Sequence, residues 1–406
     1  MTLTDTRPLV HVPPAGVDRL LAAGSADLAD HRAMYGLVPS TTRDGLIPEL
    51  ERSGLDGRGG AAFPTWRKLA AIDPARGRPV VIGNGAEGEP LSIKDATLLT
   101  LAPHLVLDGL LLLADLIGAR ETYLYTGAAH LAALRAALTK RGEADAVTVR
   151  AAPDTFISGE ASAVVNAIKT GRAVPTDRVT RLTETGLRGR PTLVYNVETL
   201  AQIALIARWG ADWFRQLGSA DEPGTRLLSI TGHGHTRVIE AAGGIRLDHA
   251  LAAAGFDPAS AAAVLVGGYH GAWVPGDALA TPLSRRHLNP YGAVPGAAIL
   301  MLLDHNACPL TAAAQITTYL AGQSARQCGP CLNGLPRLAE TLSRLANGTA
   351  DATTETEVRR LAQLVTGRGS CHHPDGTARF VLSTLTTFAS DVAHHLFGHC
   401  ERTAHV

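Results

Sequence analysis

Cys328-Gly329-Pro330-Cys331, with Cys371 further along the chain, is the strongest chemical signal in the sequence. A C-x-x-C pair opening a helix brings two thiolates within reach of one metal or cluster. Helix N-terminal N–H groups also lower thiol pKa and hydrogen-bond sulfur. Three cysteines are one short of a four-thiolate site, so a redox dithiol or plain buried thiols fit the same spacing. A second signal is glycine-rich: Gly57-Arg58-Gly59-Gly60-Ala61-Ala62-Phe63-Pro64-Thr65, then Lys68. Glycines permit positive φ and let backbone N–H groups approach a phosphate, with Arg58 and Lys68 adding charge. A tight turn uses the same glycines. A third signal, Asn84-Gly85-Ala86-Glu87-Gly88-Glu89-Pro90, offers carboxylates to ribityl or ribose hydroxyls, or else is a solvated acidic loop. Phe156-Ile157-Ser158-Gly159-Glu160 and Val194-Tyr195-Asn196-Val197-Glu198-Thr199 complete the set. The doublets His372-His373 and His394-His395, and Gly398-His399-Cys400, are of metal-ligand type, although surface histidines are mostly solvated. Cys308 lies upstream of Cys328 and could fold back toward it.

The elements that must position these residues alternate at first. Pro79–Asn84 reads as a buried strand, Asp95–Ala119 as a buried helix and Glu121–Thr126 as a second strand. Ala128–Lys140 follows as a helix and Ala146–Ala151 as a third strand. Strands separated by helices imply a parallel sheet with right-handed crossovers, and such sheets bind ligands at the carboxyl ends of their strands. The Val194 motif reads as the start of a helix. After Asp221 the pattern changes to a hairpin, Arg226–Thr231 and Val238–Glu240, then a helix at Leu247–Ala254 and strands at Ala263–Val266 and Ala298–Leu303. From about His305 it is helical. Leu335, Leu338, Leu342 and Leu345 share one face, and Thr354-x-x-Glu357 reads as a capping box. Val381, Leu385, Phe388, Val392 and Leu396 form the stripe of one last helix.

The chain has 406 residues, 37 basic and 37 acidic side chains, and 46% apolar residues. That length implies two or three domains, and the apolar share is enough for real cores. Zero net charge gives no global reason to bind nucleic acid or an anionic membrane. The longest apolar run, Leu105–Ile117, is broken by Asp108 and Asp115 and falls short of the ~20 residues of a membrane span. The opening MTLTDTRPLV lacks the pattern of a signal peptide. These features imply a cytoplasmic chain without structural disulfides.

In this order along the chain, the five motifs resemble the FMN- and NADH-binding flavoprotein subunit of respiratory complex I. They also resemble the diaphorase subunit of NAD-linked hydrogenases and formate dehydrogenases. The likeness runs from about Gly57 to Phe388, and the chain looks like a divergent member. It implies an α/β fold: a Rossmann-like FMN domain with a parallel sheet, a ubiquitin-like α+β domain and a C-terminal helical bundle of iron–sulfur-binding type. The changes of pattern set these at 1–222, 223–304 and 305–406. The resemblance implies FMN contacts at Gly57, Arg58, Gly59 and Lys68, and at Asn84 and Glu87. It implies others at Gly159 and Glu160, and at Val194, Asn196 and Thr199. The dinucleotide would stack near Phe63, with Glu89 beside its polar groups. Cys328, Cys331 and Cys371 match three of four cluster ligands.

The departures from the family pattern matter as much. Ser-Cys-Gly-x-Cys-x-Pro-Cys becomes Ser324-Ala325-Arg326-Gln327-Cys328-Gly329-Pro330-Cys331, so Ala325 stands at the first ligand. Asn-Ala-Asp-Glu-Gly-Glu loses its aspartate at Ala86, and a paired Glu-Glu becomes Glu160-Ala161. In Pro-Arg-Leu-Lys-Pro-Pro-Phe, Arg178 replaces the lysine and Arg181 the aromatic that sandwiches the nicotinamide. A second aromatic corresponds to Ala71. The resemblance then implies a 4Fe–4S cluster with Ser324, His372 or His373 as fourth ligand, a 3Fe–4S cluster, or remnant thiols.

In the family, hydride passes from nicotinamide C4 to flavin N5 by stacking, with no acid or base side chain required. The expected catalytic set is therefore empty, and Glu89 and Glu160 shape the pocket. The expected function is electron transfer from NAD(P)H to FMN and on to an iron–sulfur centre or partner. The alternative is a degenerate paralogue that keeps the fold for assembly or regulation. Five arginines between Arg172 and Arg190 fit NADPH, a solvated basic loop or a surface for an acidic ferredoxin. The implied partner is a ferredoxin-like or thioredoxin-like redox subunit, with any membrane reached only through partners.

Overall fold

The computed structural model describes residues 17–176 and 180–402, so Arg178 and the opening decapeptide lie outside the described residues. Two compact units form, one within Met1–Ser229 together with Arg237–Ile245, the other within Ile230–Thr236 together with Arg246–Val406.

In the first unit, α1 (Leu28–Tyr35), α2 (Arg43–Ser53) and α3 (Thr65–Ala70) precede β1 (Val80–Gly85). Then come α4 (Lys94–Leu101), α5 (Pro103–Leu116), β2 (Glu121–Gly127) and α6 (Leu131–Arg141). β3 (Thr148–Ala152), α7 (Ala161–Thr170), β4 (Thr192–Asn196) and α8 (Val197–Arg215) complete the alternation. The four strands are parallel in the order β3-β2-β1-β4. The chain steps outward from β1 through β2 to β3, then returns to β4 on the other side of β1. The order therefore reverses between β1 and β4, and a crevice opens at their carboxyl ends.

Period-two alternation puts both faces of the sheet in apolar cores. Val81, Leu124, Leu193 and Tyr195 pack in one cluster with the leucines of α5 and α8. Val80, Ile82, Tyr123, Tyr125 and Val194 pack in another with Val164 and Val165 of α7. Each fully buried aliphatic side chain contributes about 2 kcal/mol.

The single helix expected over Asp95–Ala119 is two. Ala102 leaves helical geometry (φ −137°, ψ 49°) and α4 meets α5 at 93°. The cause is Pro103, which disfavours helical backbone at the residue before it. No single helix among the described residues is long and apolar enough to cross a membrane. The bent pair α4–α5 matches a span only by composition, and most of α5 is buried in the core.

The hairpin β5 (Thr225–Gly232) and β6 (His235–Ala242) has its base in the first unit and its tip in the second. The second unit continues with α9 (Leu247–Ala253), β7 (Ala261–Val266), β8 (Ala272–Pro275), α10 (Arg285–Leu288) and β9 (Ile299–Asp304). β7 pairs antiparallel with both β8 and β9. A helical region follows: α11 (Pro309–Gly322), α12 (Leu335–Ala346), α13 (Thr354–Val365), α14 (His373–Thr387) and α15 (Ala389–Leu396). The expected leucine face of α12 is buried. The capping box is not formed. Asp351 instead accepts from Thr353 N–H and from the Thr353 and Thr354 hydroxyls, and Glu357 pairs with Arg360. The last stripe belongs to two helices, because Phe388 (φ −113°, ψ 40°) breaks it.

Candidate functional site

Four turns meet at the crevice between β1 and β4. Asn84 is the last residue but one of β1, just before Gly85; its Nδ2 donates to Gly159 O at 2.9 Å and its Oδ1 accepts from Ala86 N–H at 3.2 Å. Asn196 ends β4 and caps α8, accepting from Glu198 N–H at 2.9 Å. Its Nδ2 also donates to Asn84 O at 3.4 Å. A Cβ at Gly59 would stand 3.3 Å from Asn196 Cβ, and Thr199 Oγ1 accepts from Arg58 N–H at 2.9 Å. At Gly88 a Cβ would fall 2.2 Å from Thr155 O, so only glycine lets the loops after β1 and β3 cross. The first turn is closed by Gly57 N–H donating to Phe63 O at 3.0 Å.

The charged side chains divide between the crevice and the scaffold. Lys68 Nζ reaches Val194 O at 3.2 Å, 5.3 Å from the Tyr195 ring centroid, and burial holds its pKa below the ordinary lysine range. Arg58 turns inward, with Nη2 near Pro223 O and Thr225 O, and burial pushes it down to about 10. Its charge supports the scaffold, not the crevice. Glu87 is a helix cap: Oε1 accepts from Asp95 N–H at 3.0 Å and Ser92 Oγ at 2.6 Å, Oε2 from Ala96 N–H at 2.7 Å. Glu160 caps α7 through Ser162 and Ala163 N–H. Glu89 is half-buried on the same loop as Glu87, and Phe63 leaves its ring 45% exposed.

Beneath Asn196 lies a charged triad that sequence reasoning missed. Lys94 Nζ donates to Asp95 Oδ1 at 2.6 Å and to Glu198 Oε2 at 2.9 Å, and all three side chains are buried. Glu198 Oε1 accepts from Leu227 N–H, and Asp95 Oδ2 accepts from Asn196 Nδ2. Burial pushes the Asp95 carboxyl up to about 7 against the pull of Lys94. Burial also opposes the Lys94 charge, yet Asp95, Glu198 and Glu87 outweigh it and hold the ammonium above its ordinary range. The available signal was Lys94-Asp95 directly after the acidic turn.

The arginine-rich segment does not act as one group. Arg188 and Arg190 pair with Glu121, each at 2.8 Å. Glu121 starts β2, so these arginines stand at the amino edge of the sheet, opposite the crevice. Arg172 and Arg181 are exposed.

In the second unit, Cys331 and Cys371 are buried and Cys328 half-buried. Burial pushes the Cys331 thiol up to about 12, with the Cys328 and Cys371 thiols beside it adding to the rise. Three free cysteines, two of them buried, are a donor set that fits a thiolate-bound centre. Arg326, next to Ala325, has φ 53°. The expected fourth ligands are engaged elsewhere. Ser324 Oγ donates to Cys331 O at 3.3 Å, and His372 Nδ1 lies 3.1 Å from Asp375. His373 meets Leu320 O at 2.8 Å and His270 at 3.1 Å. Cys308 does not fold back to these thiols; its sulfur faces His395.

A doubly wound parallel sheet with a crevice where its strand order reverses, followed by a helical region bearing C-x-x-C and a third thiol, is the layout of an iron–sulfur flavoprotein of the α/β class. The match to known families agrees. The model of the Nuo51 FMN-binding domain covers residues 50–205, and that of the NADH-ubiquinone oxidoreductase-F iron–sulfur binding region covers 311–395. In Streptomyces coelicolor, the F subunit of NADH-quinone oxidoreductase is 28% identical over 385 residues, 87% of this chain and 84% of that protein. In Rhizobium meliloti, the second of the numbered F subunits of that enzyme is 27% identical, covering 90% of this chain and 92% of that one. The crystal structure of NAD+-reducing NiFe-hydrogenase in the H2-reduced state superposes with a TM-score of 0.80 at 28% identity. The chain covers 63% of that hydrogenase chain, which in turn spans 88% of this one. Both regions of the match point the same way: this chain is similar to the F subunit of NADH-quinone oxidoreductase in its FMN-binding region and in its iron–sulfur-binding region.

Proposed function

We propose that this protein is an NAD(P)H-oxidising flavoprotein that passes electrons through FMN to an iron–sulfur centre and then to a partner redox subunit of ferredoxin-like or thioredoxin-like type. The observation that carries the reading is the chain of contacts Gly59–Asn196–Asn84–Gly159, which closes four turns around one crevice at the reversal of strand order. The chemistry FMN supplies when bound is acceptance of two electrons from a nicotinamide and their release one at a time. The protein's part is position. Gly57, Gly59 and Gly159 let the turns around the crevice approach one another closely, and Lys68 supplies the cation. Asn84 and Asn196, with Val194 and Thr199 beside them, orient hydrogen-bonding edges. Glu87 and Glu160 act through the helices they cap, Glu89 faces the dinucleotide's polar groups, and Phe63 offers a stacking ring. Cys328, Cys331 and Cys371 hold the cluster. We keep the three-domain division at 222 and 304 and a cytoplasmic setting as parts of this proposal.

A second reading, a family member that keeps FMN but no longer oxidises the nucleotide, rests on Ala71 and Arg181. Both are exposed and neither supplies a ring. Anaerobic titration of the reconstituted protein separates the two. Bleaching of the flavin by NADH or NADPH establishes the first reading; a flavin that stays oxidised with both establishes the second; a protein that retains no FMN removes both.

A further inference from the structure

Cys308, His395 and Cys400 come together in the second unit, and none of them takes part in the sites above. Their ligand atoms all lie within 4.8 Å of one another. We propose that these three side chains bind a zinc ion, with the fourth coordination position open to water.

Zinc with Zn–S near 2.3 Å and Zn–N near 2.0–2.1 Å spaces its tetrahedral ligands about 3.5–3.8 Å apart. Cys308 Sγ and His395 Nε2 are 3.5 Å apart. The histidine is set for metal. Its Nδ1 lies 3.2 Å from Leu345 O, and a carbonyl can only accept, so Nδ1 carries the proton and Nε2 turns its lone pair toward the thiol. Cys308 is the N-cap of α11, and its sulfur accepts from Thr311 N–H at 3.4 Å. Cys400 is held in place by its neighbours: Arg402 pairs with Asp391 at 2.9 Å and donates to His305 O at 2.8 Å. Cys308 and His395 are buried while Cys400 is exposed, so an ion can enter from solvent and be gripped from within. Two sulfurs and one nitrogen, with no carboxylate among them, select a thiophilic ion over calcium or magnesium. The bound ion would clasp the segment after α15 to the start of α11.

The test uses the full chain, freed of adventitious metal by mild chelation and titrated with zinc alone. Bound zinc, iron and flavin are counted together. Expected is one zinc more per chain in the parent than in Cys400→Ser or His395→Gln, with iron and flavin equal in all three. Cys400→Ser decides, because the residue is exposed and its replacement leaves the packing intact. Cobalt(II) in place of zinc gives a thiolate-to-metal charge-transfer band in the parent that is lost in both variants. Equal zinc in parent and Cys400→Ser overturns the proposal, as does thiol counting that finds Cys308 and Cys400 joined in a disulfide. Zinc held by the other three cysteines cancels in the comparison, so failure here leaves the flavin and iron–sulfur reading untouched.

Discussion

Lys94, Asp95 and Glu198 show how buried charge can order a site without touching its ligand. Two carboxylates share one ammonium, and one of the carboxylates holds the Asn196 amide. Removing the cation leaves both acids buried without their partner, a change that costs about 3–5 kcal/mol. Lys94→Met is therefore expected to lower the midpoint of denaturant unfolding sharply and to loosen FMN, since Asn196 loses its anchor; unfolding curves with and without flavin check both. Glu240 gives a second expectation. It is fully buried and accepts from Arg19, Leu20 and Leu21 N–H and from Thr225 Oγ1, and burial pushes its carboxyl up to about 7. The folded protein then holds a proton that the unfolded chain releases near the ordinary 4.5. Stability from this group is fully present below pH 4.5 and is lost as pH rises through 7. The loss reaches about 3 kcal/mol, since each pH unit between the unfolded and folded pKa contributes about 1.4 kcal/mol. Between pH 5 and 8 the unfolding free energy of the parent should fall by about 2.5 kcal/mol more than that of Glu240→Gln; Asp95, likewise pushed up to about 7, titrates in the same window in both proteins and cancels from the difference.

Among the elements, the α5–α8 crossing is fixed by one missing side chain. A Cβ at Gly109 would lie 1.9 Å from Leu200 O, which is backbone and cannot step aside. Gly109→Ala is expected to cost about 3 kcal/mol or more by overpacking and to lower the melting temperature, although it lies in the helix body away from the crevice. A melting temperature within a degree or so of the parent would refute this. The same elements show what the sequence does and does not reveal. β1, β2 and β3 are legible to within two residues or so, because each is a run of buried or alternating side chains between turns. β4 is not, because Thr192–Asn196 runs into α8 with no intervening turn, and Asn196 is at once the end of the strand and the cap of the helix. The glycine turns announce themselves by composition. Glu87 and Glu160 read equally well as ligand contacts or helix caps until the N–H groups they accept from are in view. The Lys94 triad shows in the sequence only as Lys94-Asp95 after the acidic turn, because a buried charge and a solvated one are the same letter. The break before Pro103 is written in the sequence, since proline disfavours helical backbone at the residue before it.

For the molecule as a whole, the crevice belongs to one compact unit and the three thiols of C-x-x-C and Cys371 to the other. Among the described residues none serves both sites, so their cofactor contents should vary independently. Cys371→Ser removes one of three thiolates and is expected to cut iron while leaving flavin near one per chain. Lys68→Met removes the crevice cation and is expected to cut flavin while leaving iron unchanged. Paired flavin and iron analysis of the two variants decides the matter, since a fold-wide defect would lower both together. Electron flow then provides the check that content alone cannot. The Lys68 variant should lose nucleotide-driven reduction of the iron centre yet still accept electrons from a chemical reductant such as dithionite. The Cys371 variant should still bleach its flavin with the nucleotide but pass nothing onward. If nucleotide still reduces the iron centre in the Lys68 variant, the two sites are not successive steps of one path, whatever each of them binds.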